Sequence, residues 1–294
     1  MNWPKSLTKI INKKVNLAKF TSFKIGGEAE FFTVPKNIAE LRKILVFAKI
    51  KKIPVHILGG GSNILISDNG VKGIVIKIDA KFFRELYKKQ NSIVAGSGIN
   101  LSRLVLFARE KGLGGLEFLA GIPGSVGGSL VGNAGAWGSS IGDFVDQVCV
   151  LSYDGKKKLL NKDDLKFSYR LSNLGKYIVL WARLKLARED KDKIYAKIRE
   201  HMLARKKSQN DFLPSAGCIF KNPSAATSAG KLIDLCGLKG KRKLGAMISK
   251  VHANFILNLG NAKASDVLWL MDLIRKKVRS RFNIELAEEV KLWN

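Results

Sequence analysis

The sequence predicts an α+β fold, in which helices and antiparallel strands are mixed along the chain rather than alternating as in a doubly wound sheet. Three observations carry this. Asp154-Gly155 follows the apolar stretch FVDQVCVLS and precedes a second extended segment, and Asp-Gly in that setting is a strong hairpin signal. Short apolar runs of strand length occur at 53–58 (IPVHIL), 73–79 (GIVIKID) and 177–186 (YIVLWARLKL). Between them lie segments whose apolar residues recur at helical spacing, the clearest being Val267, Met271, Ile274 and Val278.

Taken in order, Asn37 with Glu40 has the form of a capping box for a helix through about Lys49, with Leu41, Ile44, Leu45 and Ala48 on one face. IPVHIL then reads as a buried strand, GIVIKID as a second and SIVAGSG (92–98) as a short third. Asn100 is placed to cap a helix that stops at Gly112. After a glycine-rich region come the Asp-Gly hairpin, the strand at 177–186 and a basic helix over about 189–207 with Ile194, Ile198 and Met202 facing inward. The last third predicts a short helix near 228–236, the strand NFILNL (254–259), a long helix from Ser265 and a closing strand, IELAEEVKLW. No repeat or low-complexity linker interrupts the chain.

Length and composition narrow the function classes. A chain of 294 residues, 46% hydrophobic and 26% charged, accommodates two or three subdomains with a sizeable core. Three widely spaced cysteines, Cys149, Cys218 and Cys236, argue against a disulfide framework and for a reducing, cytoplasmic setting. His56, His201 and His252 are far apart and no Cys or His pair has zinc-ligand spacing, so no metal site is expected. The first twenty residues lack a continuous apolar core and a cleavage site, and read as part of the folded protein. The uncharged stretch 118–142 is too rich in Gly, Ser and Asn for a membrane span. A net charge of +28 invites a nucleic-acid reading, but the lysines are spread along the whole chain and no nucleic-acid motif is present. A basic surface of this kind still attracts phosphorylated small molecules.

Two glycine-rich stretches follow strands: LGGGSNILISD, containing Gly59 to Asp68, and GIPGSVGGSLVGNAGAWG, Gly121 to Gly138. Successive glycines let a backbone turn tightly and present consecutive N–H groups to an anion. Neither stretch continues into Gly-Lys-Ser/Thr, and neither opens a Rossmann helix as G-x-G-x-x-G does. On the residues alone they indicate a nucleotide-like cofactor held by backbone amides, with an ordinary tight loop as the alternative.

Together the motifs resemble the UDP-N-acetylenolpyruvoylglucosamine reductase family. GLEFLAGIPGSVGG…NAGAWG (115–138) resembles that family's signature, and TSFKIGG (21–27), ILGGGSNILISD (57–68), FSYRLS (167–172), PSAGCIFKNP…SAGKLIDLCGLKG (214–240) and EEVKLW (288–293) resemble further motifs in family order. The resemblance covers roughly Phe20 to Trp293. It implies an FAD-binding fold of the vanillyl-alcohol-oxidase type, with flavin-binding subdomains at 1–80 and 81–188 and an α+β substrate domain at 189–294, from which the final strand is able to return to the flavin domain. It implies FAD and NADPH as cofactors. Around the flavin diphosphate it places Gly59, Gly60, Gly61, Ser62 and Asn63 from one loop. From the other it places Gly121, Ile122, Pro123, Gly124, Ser125, Val126, Gly127 and Gly128, with Asn133 and Gly135 near the flavin.

The reaction implied is reduction of the enolpyruvyl ether of UDP-N-acetylglucosamine in peptidoglycan precursor synthesis. Hydride passes from NADPH to flavin N5 and then to the vinyl carbon. Arg170 matches the arginine that stabilises the substrate carboxylate as it gains charge, a task suited to a guanidinium fork. Glu289 matches a glutamate that helps there when it holds a proton, which requires burial; strand alternation turns the adjacent Glu288 toward solvent. Cys218 stands where many members carry serine and matches the proton donor. A thiol, with an ordinary pKa of about 8.5, is far more acidic than an alcohol. Lys221 and Asn222 match substrate-binding positions, and Arg205 matches a basic residue near flavin or nucleotide. The chain departs from the family at Gln209-Asn210, where Gln-Pro is frequent, at Asn254, where glycine is common, and at Ser125, where threonine also occurs. Only one strand and one helix separate Arg170 from Cys218, which implies the shorter type without an added substrate lid. A cytoplasmic bacterial monomer is expected, with a UDP-sugar and NADPH as its partners and no nucleic acid or membrane. Another FAD-dependent oxidase or dehydrogenase on the same scaffold shares the glycine loops but not Arg170, Cys218 and Glu289 in these contexts. A basic nucleic-acid-binding protein is the reading from another class.

Overall fold

The computed structural model describes residues 3–209 and 213–294. The chain forms two compact units that exchange segments: Met1–Lys13, Phe31–Gly60 and Gly73–Ala204 make the first, and Lys14–Glu30, Gly61–Lys72 and Arg205–Asn294 the second.

The centre of the first unit is a five-stranded antiparallel sheet in the order Lys157–Asn161, Val145–Leu151, Ile178–Lys185, Ser92–Gly96, Leu86–Lys89. The Asp-Gly hairpin is present as expected, with Gly155 at φ +83 in the left-handed region that a side chain disfavours. The apolar run 148–151 is buried on both faces by alternation. Val148 and Val150 face a cluster containing Leu104, Val105 and Ala108 of the Leu101–Glu110 helix, while Cys149 and Leu151 face one containing Leu41, Ile44 and Leu45 of the Ile38–Ile50 helix. Burial pushes the Cys149 thiol above its ordinary range against the pull of Lys157, so this cysteine behaves as a small core hydrophobe. Asn37 caps the Ile38–Ile50 helix through its side chain, which accepts from the Glu40 amide at 3.0 Å.

Three expectations for this unit are corrected. The first is Val55–Leu58, which is an edge strand, paired in parallel with Val71–Lys77 in a sheet that also holds Ile11–Asn16 and Glu28–Thr33; with a partner on one side only, just Leu58 of its residues is fully buried. The second is Asn100, which sits at the N-cap position but makes no capping bond with its side chain. The first helical amide, of Leu101, instead donates to the Gly124 carbonyl at 3.0 Å. The third is Met202, which is 54% exposed although Ile194 and Ile198 are buried: the Lys191–Ser208 helix outruns the core that covers its first half.

The second unit packs the helices Ala229–Leu235 and Ala264–Phe282 on an antiparallel sheet ordered Ser215–Cys218, Phe255–Asn258, Ala246–Ile248, Arg242–Lys243. The long helix buries Val267, Met271, Ile274 and Val278 as its periodicity predicts, and Leu270 beside them. Its N-terminus is held by Asp68, whose two carboxylate oxygens accept from the Ala264 and Ser265 amides at 2.7 and 3.0 Å. Partial burial of the Asp68 carboxyl opposes ionisation, but the bonds from Ser265 and Ala264 outweigh it and hold the group below its ordinary value of 3.8. A depressed carboxyl stabilises the fold above its unfolded-state pKa and loses that contribution as pH falls through the folded one. Asp68→Ala is therefore expected to cost about 1 kcal/mol at neutral pH. In urea titrations the gap from wild type is expected to narrow as pH falls below the ordinary carboxyl value of 3.8 and through the lower folded-state one.

Candidate active site

In the first unit the two glycine stretches meet. A Cβ on Gly59 would lie 2.6 Å from Ser125 Oγ, and one on Gly60 would lie 2.8 Å from Gly124 Cα and 2.9 Å from the Ser125 amide nitrogen. No side chain fits between them. Ser125 caps the short helix Val126–Val131 by accepting from the Gly128 amide. The Val126 and Gly127 amides donate to Ile99 and Ser97 carbonyls at 2.8 and 2.9 Å, and Ile122 donates to Leu119 at 3.0 Å. Only part of the second stretch therefore presents its backbone outward. Among the described residues, the amides of Gly59, Gly60, Gly124 and Ser125 have no acceptor in the protein. Bare, closely apposed backbone with uncommitted N–H groups fits a diphosphate. A methyl at Gly60 must push the loops apart. Gly60→Ala is expected to purify with clearly less bound flavin, read from its visible absorbance, and to lose about 1–3 kcal/mol of stability.

Arg170 occupies a two-residue hairpin loop between Phe167–Ser168 and Leu171–Ser172. Its backbone is left-handed at φ +54, a conformation that costs an arginine about 1 kcal/mol or more and that concentrates at functional positions. The guanidinium is half-buried; Nη1 donates to the Gly135 carbonyl at 2.9 Å, and the group lies 5.3 Å from the Tyr169 ring centroid. Asn133 is buried, also left-handed, and ties this hairpin to its neighbour. Its Nδ2 donates to the Ser168 carbonyl at 2.9 Å while its Oδ1 accepts from Gly142 at 3.1 Å. The side-chain amide of Asn133 and the carbonyl of Gly135 thus act on the frame around Arg170. Trp137, at the tip of the adjoining hairpin, stacks on His201 at 4.2 Å.

The second unit holds the other candidates. Cys218 ends a strand whose register with Phe255–Asn258 shifts between Ser215 and Cys218, and Gly217 sits in that irregularity at φ +74. Bulges of this kind re-aim the following side chain, and Cys218 emerges half-buried. Glu289, also half-buried, is bonded to the same segment: its amide donates to the Ile219 carbonyl at 2.8 Å. Asn63 of the first glycine stretch reaches this point, its Nδ2 donating to the Glu289 carbonyl at 3.0 Å and its carbonyl accepting from Lys291 at 3.1 Å. Its side chain is directed at Glu289, a contact not foreseen from the motif. Gly61 is left-handed at φ +66 with the Phe20 carbonyl 2.0 Å from where a Cβ would be, and half-buried Ser62 lies between these two. Lys221 is half-buried with its amide on the Ala287 carbonyl at 2.8 Å. Asn222 is exposed, and its Oδ1 accepts from Ala229 at 3.1 Å at the start of the Ala229–Leu235 helix. Arg205 bonds Gln209 at the end of its helix; the neighbouring Asn210 lies outside the described residues.

Two expectations near Glu289 are corrected. Glu288 is half-buried and ion-paired with Arg275, whose guanidinium also lies over the Phe220 ring. It does not point into solvent, because the Ala264–Phe282 helix covers that face. The closing strand is regular only over Lys291–Trp293, parallel to Ile64–Ile66. The residues before it bond to 219–221 instead, with a bridge between Phe220 and Glu288.

Residues 29–159 match the family model described as FAD binding domain, and residues 207–293 match the C-terminal domain of UDP-N-acetylenolpyruvoylglucosamine reductase. The fold and its glycine cradle define an FAD-dependent oxidoreductase; cholesterol oxidase from Brevibacterium sterolicum shares the fold at a TM-score of 0.52 and 13% identity over 64% of this chain and 39% of its own. A UDP-N-acetylenolpyruvoylglucosamine reductase of Listeria monocytogenes is 42% identical over 278 residues, 94% of this chain and 92% of its own length. One from Chloroherpeton thalassium is 44% identical over 285 residues, 94% and 91% respectively. The crystal structure of the Thermus caldophilus reductase aligns with a TM-score of 0.83 at 37% identity, covering 96% of this chain and 98% of that one. The chain belongs to the UDP-N-acetylenolpyruvoylglucosamine reductase family. Among the described residues no helix is long and apolar enough to cross a membrane, and no group of three or more His, Cys, Asp or Glu residues has the arrangement to hold a metal ion.

Proposed function

We propose that this chain reduces the enolpyruvyl ether of UDP-N-acetylglucosamine with NADPH to give UDP-N-acetylmuramate, and that Cys218 supplies the proton. The observation that carries the reading is the aim of Cys218: a left-handed glycine in a strand irregularity turns out a half-buried thiol on the same segment that binds the backbone of Glu289. The Gly59–Ser62 and Gly121–Gly128 stretches would hold FAD, which when bound would supply the hydride chemistry that links NADPH to the vinyl carbon. Arg170 stabilises the substrate carboxylate as charge flows into it, a role in which a fixed cation is worth more away from bulk water. Glu289, carrying a proton, donates to the same carboxylate. The Cys218 Sγ–H then gives its proton to the carbon that bears the ether oxygen, and the thiolate left behind is reprotonated from solvent. Lys221 and Asn222 hold the substrate's anionic and polar groups. Flavin binding is assigned to 1–80 and 81–188, substrate binding to 189–294, and the protein is read as a cytoplasmic monomer.

The test is NADPH oxidation by the yellow, flavin-loaded protein. Oxidation is expected to depend on the enolpyruvyl-UDP-sugar. Equal consumption of NADPH with and without that compound rejects the substrate assignment.

A further inference from the structure

Cys218 is the last residue of its strand, and the three residues after it lie in an unusual frame. On one side they bond to the chain before the final strand. The Glu289 and Val290 amides donate to the Ile219 carbonyl at 2.8 and 3.3 Å, and Lys221 donates to the Ala287 carbonyl at 2.8 Å. On the other side the strand ladder has ended. Ile219 donates to the Asn254 carbonyl at 2.9 Å, and both backbone groups of Phe220 are taken by the Asn254 side chain. The Phe220 amide donates to Oδ1 at 2.9 Å, and Nδ2 donates to the Phe220 carbonyl at 2.8 Å. Asn254 is 2% exposed and Phe220 fully buried. A single carboxamide thus does the work of a missing strand. Only a side chain with one acceptor and one donor in the same plane can bond both groups of one residue this way.

The consequence lies at Ile219, the residue just before the clamped Phe220. Cys218 directly precedes Ile219, and the backbone of Glu289 hangs from the Ile219 carbonyl. We infer that Asn254 is a positioning residue for the proton-transfer step, fixing the orientation of Cys218 and Glu289 through the backbone of Phe220. This rests on the roles proposed above for those two residues. A positional error of about 1 Å at a reacting group costs on the order of 100-fold in rate, and loss of the clamp leaves both backbone groups of Phe220 without their partner, with only the Ile219 amide still bonded to the Asn254 carbonyl on that side.

Two variants test it, each loaded with flavin and followed by stopped-flow absorbance through reduction by NADPH and reoxidation by the enolpyruvyl-UDP-sugar. Asn254→Ala is expected to bind flavin and be reduced at the wild-type rate, with reoxidation slowed about 100-fold. Asn254→Asp has nearly the same shape and keeps the acceptor for the Phe220 amide, but when ionised it has nothing to donate to the Phe220 carbonyl. Its reoxidation rate, as a ratio to wild type, is expected to rise as pH is lowered and the carboxyl gains a proton. Taking the ratio cancels the titration of Cys218, Lys221, His252, Glu288 with its partner Arg275, and Glu289, the ionisable groups on the clamped segments and against them. The inference is overturned if either folded variant reoxidises at the wild-type rate. It is also overturned if reduction and reoxidation fall together with the thermal midpoint, or if Asn254→Asp does not fold, because the amide is then a structural requirement alone. Wild-type protein that is not reoxidised by the substrate rejects the proposed function itself, an outcome separate from all of these.

Discussion

Cys218→Ala is expected to keep flavin reduction by NADPH and to lose nearly all reoxidation by the enolpyruvyl substrate. General acid catalysis contributes about 10²–10⁴-fold, so the second half of the cycle should slow by that range while the first is untouched. Half-buried Cys218 sits at a strand end that the Gly217 irregularity and the Asn254 clamp hold from both sides, and removing one sulfur leaves those backbone bonds intact. A wild-type reoxidation rate in the alanine variant removes the thiol from the mechanism. Cys218→Ser provides the control, since a hydroxyl also holds a transferable proton; it should recover part of the rate. The other two cysteines make poor substitutes as reactive thiols. Cys149 is buried, and burial likewise raises the Cys236 thiol above its ordinary range against the pull of Arg281 and Lys277.

The second large effect is expected at Arg170. Arg170→Ala should slow substrate reoxidation by about 10²–10³-fold, the usual consequence of deleting a group that stabilises developing negative charge. Arg170→Lys should recover little, because an ammonium cannot reproduce the planar fork. Stability should change by about 1 kcal/mol, the usual net value of a hydrogen bond such as the one the side chain makes to the Gly135 carbonyl. Stopped-flow reoxidation and a thermal melt on the same preparation separate the two effects. A rate loss that merely follows a fall in the melting temperature would mean that Arg170 serves the hairpin and not the substrate.

Much of the architecture was legible because local chemistry sets it. The Asp-Gly turn, the Asn37 cap and the periodicity of the last helix each depend on residues within a few positions of one another, and each is found where the sequence places it. The errors arise where a neighbour distant in the chain decides. Met202 has the right spacing to be buried, but nothing covers that part of its helix. Asn100 is a suitable cap whose task the Gly124 carbonyl performs. Alternation aimed Glu288 at solvent, and the Ala264–Phe282 helix brings Arg275 over that face.

The candidate site divides along the same line. The residues proposed to carry the chemistry are readable from their motifs: two glycine stretches, the arginine of FSYRLS, the thiol of PSAGCIFKNP and the second glutamate of EEVKLW. What holds them is not, since those partners lie far away along the chain. The Asn254 carboxamide reaches Phe220 across 34 positions, Asp68 caps a helix 196 residues later, and Asn63 takes the Glu289 carbonyl across 226. Such bonds have no period and no spacing. Each is selected because a polar group buried by folding must find a partner or cost the fold free energy, and which partner is within reach is settled only when the whole chain has packed.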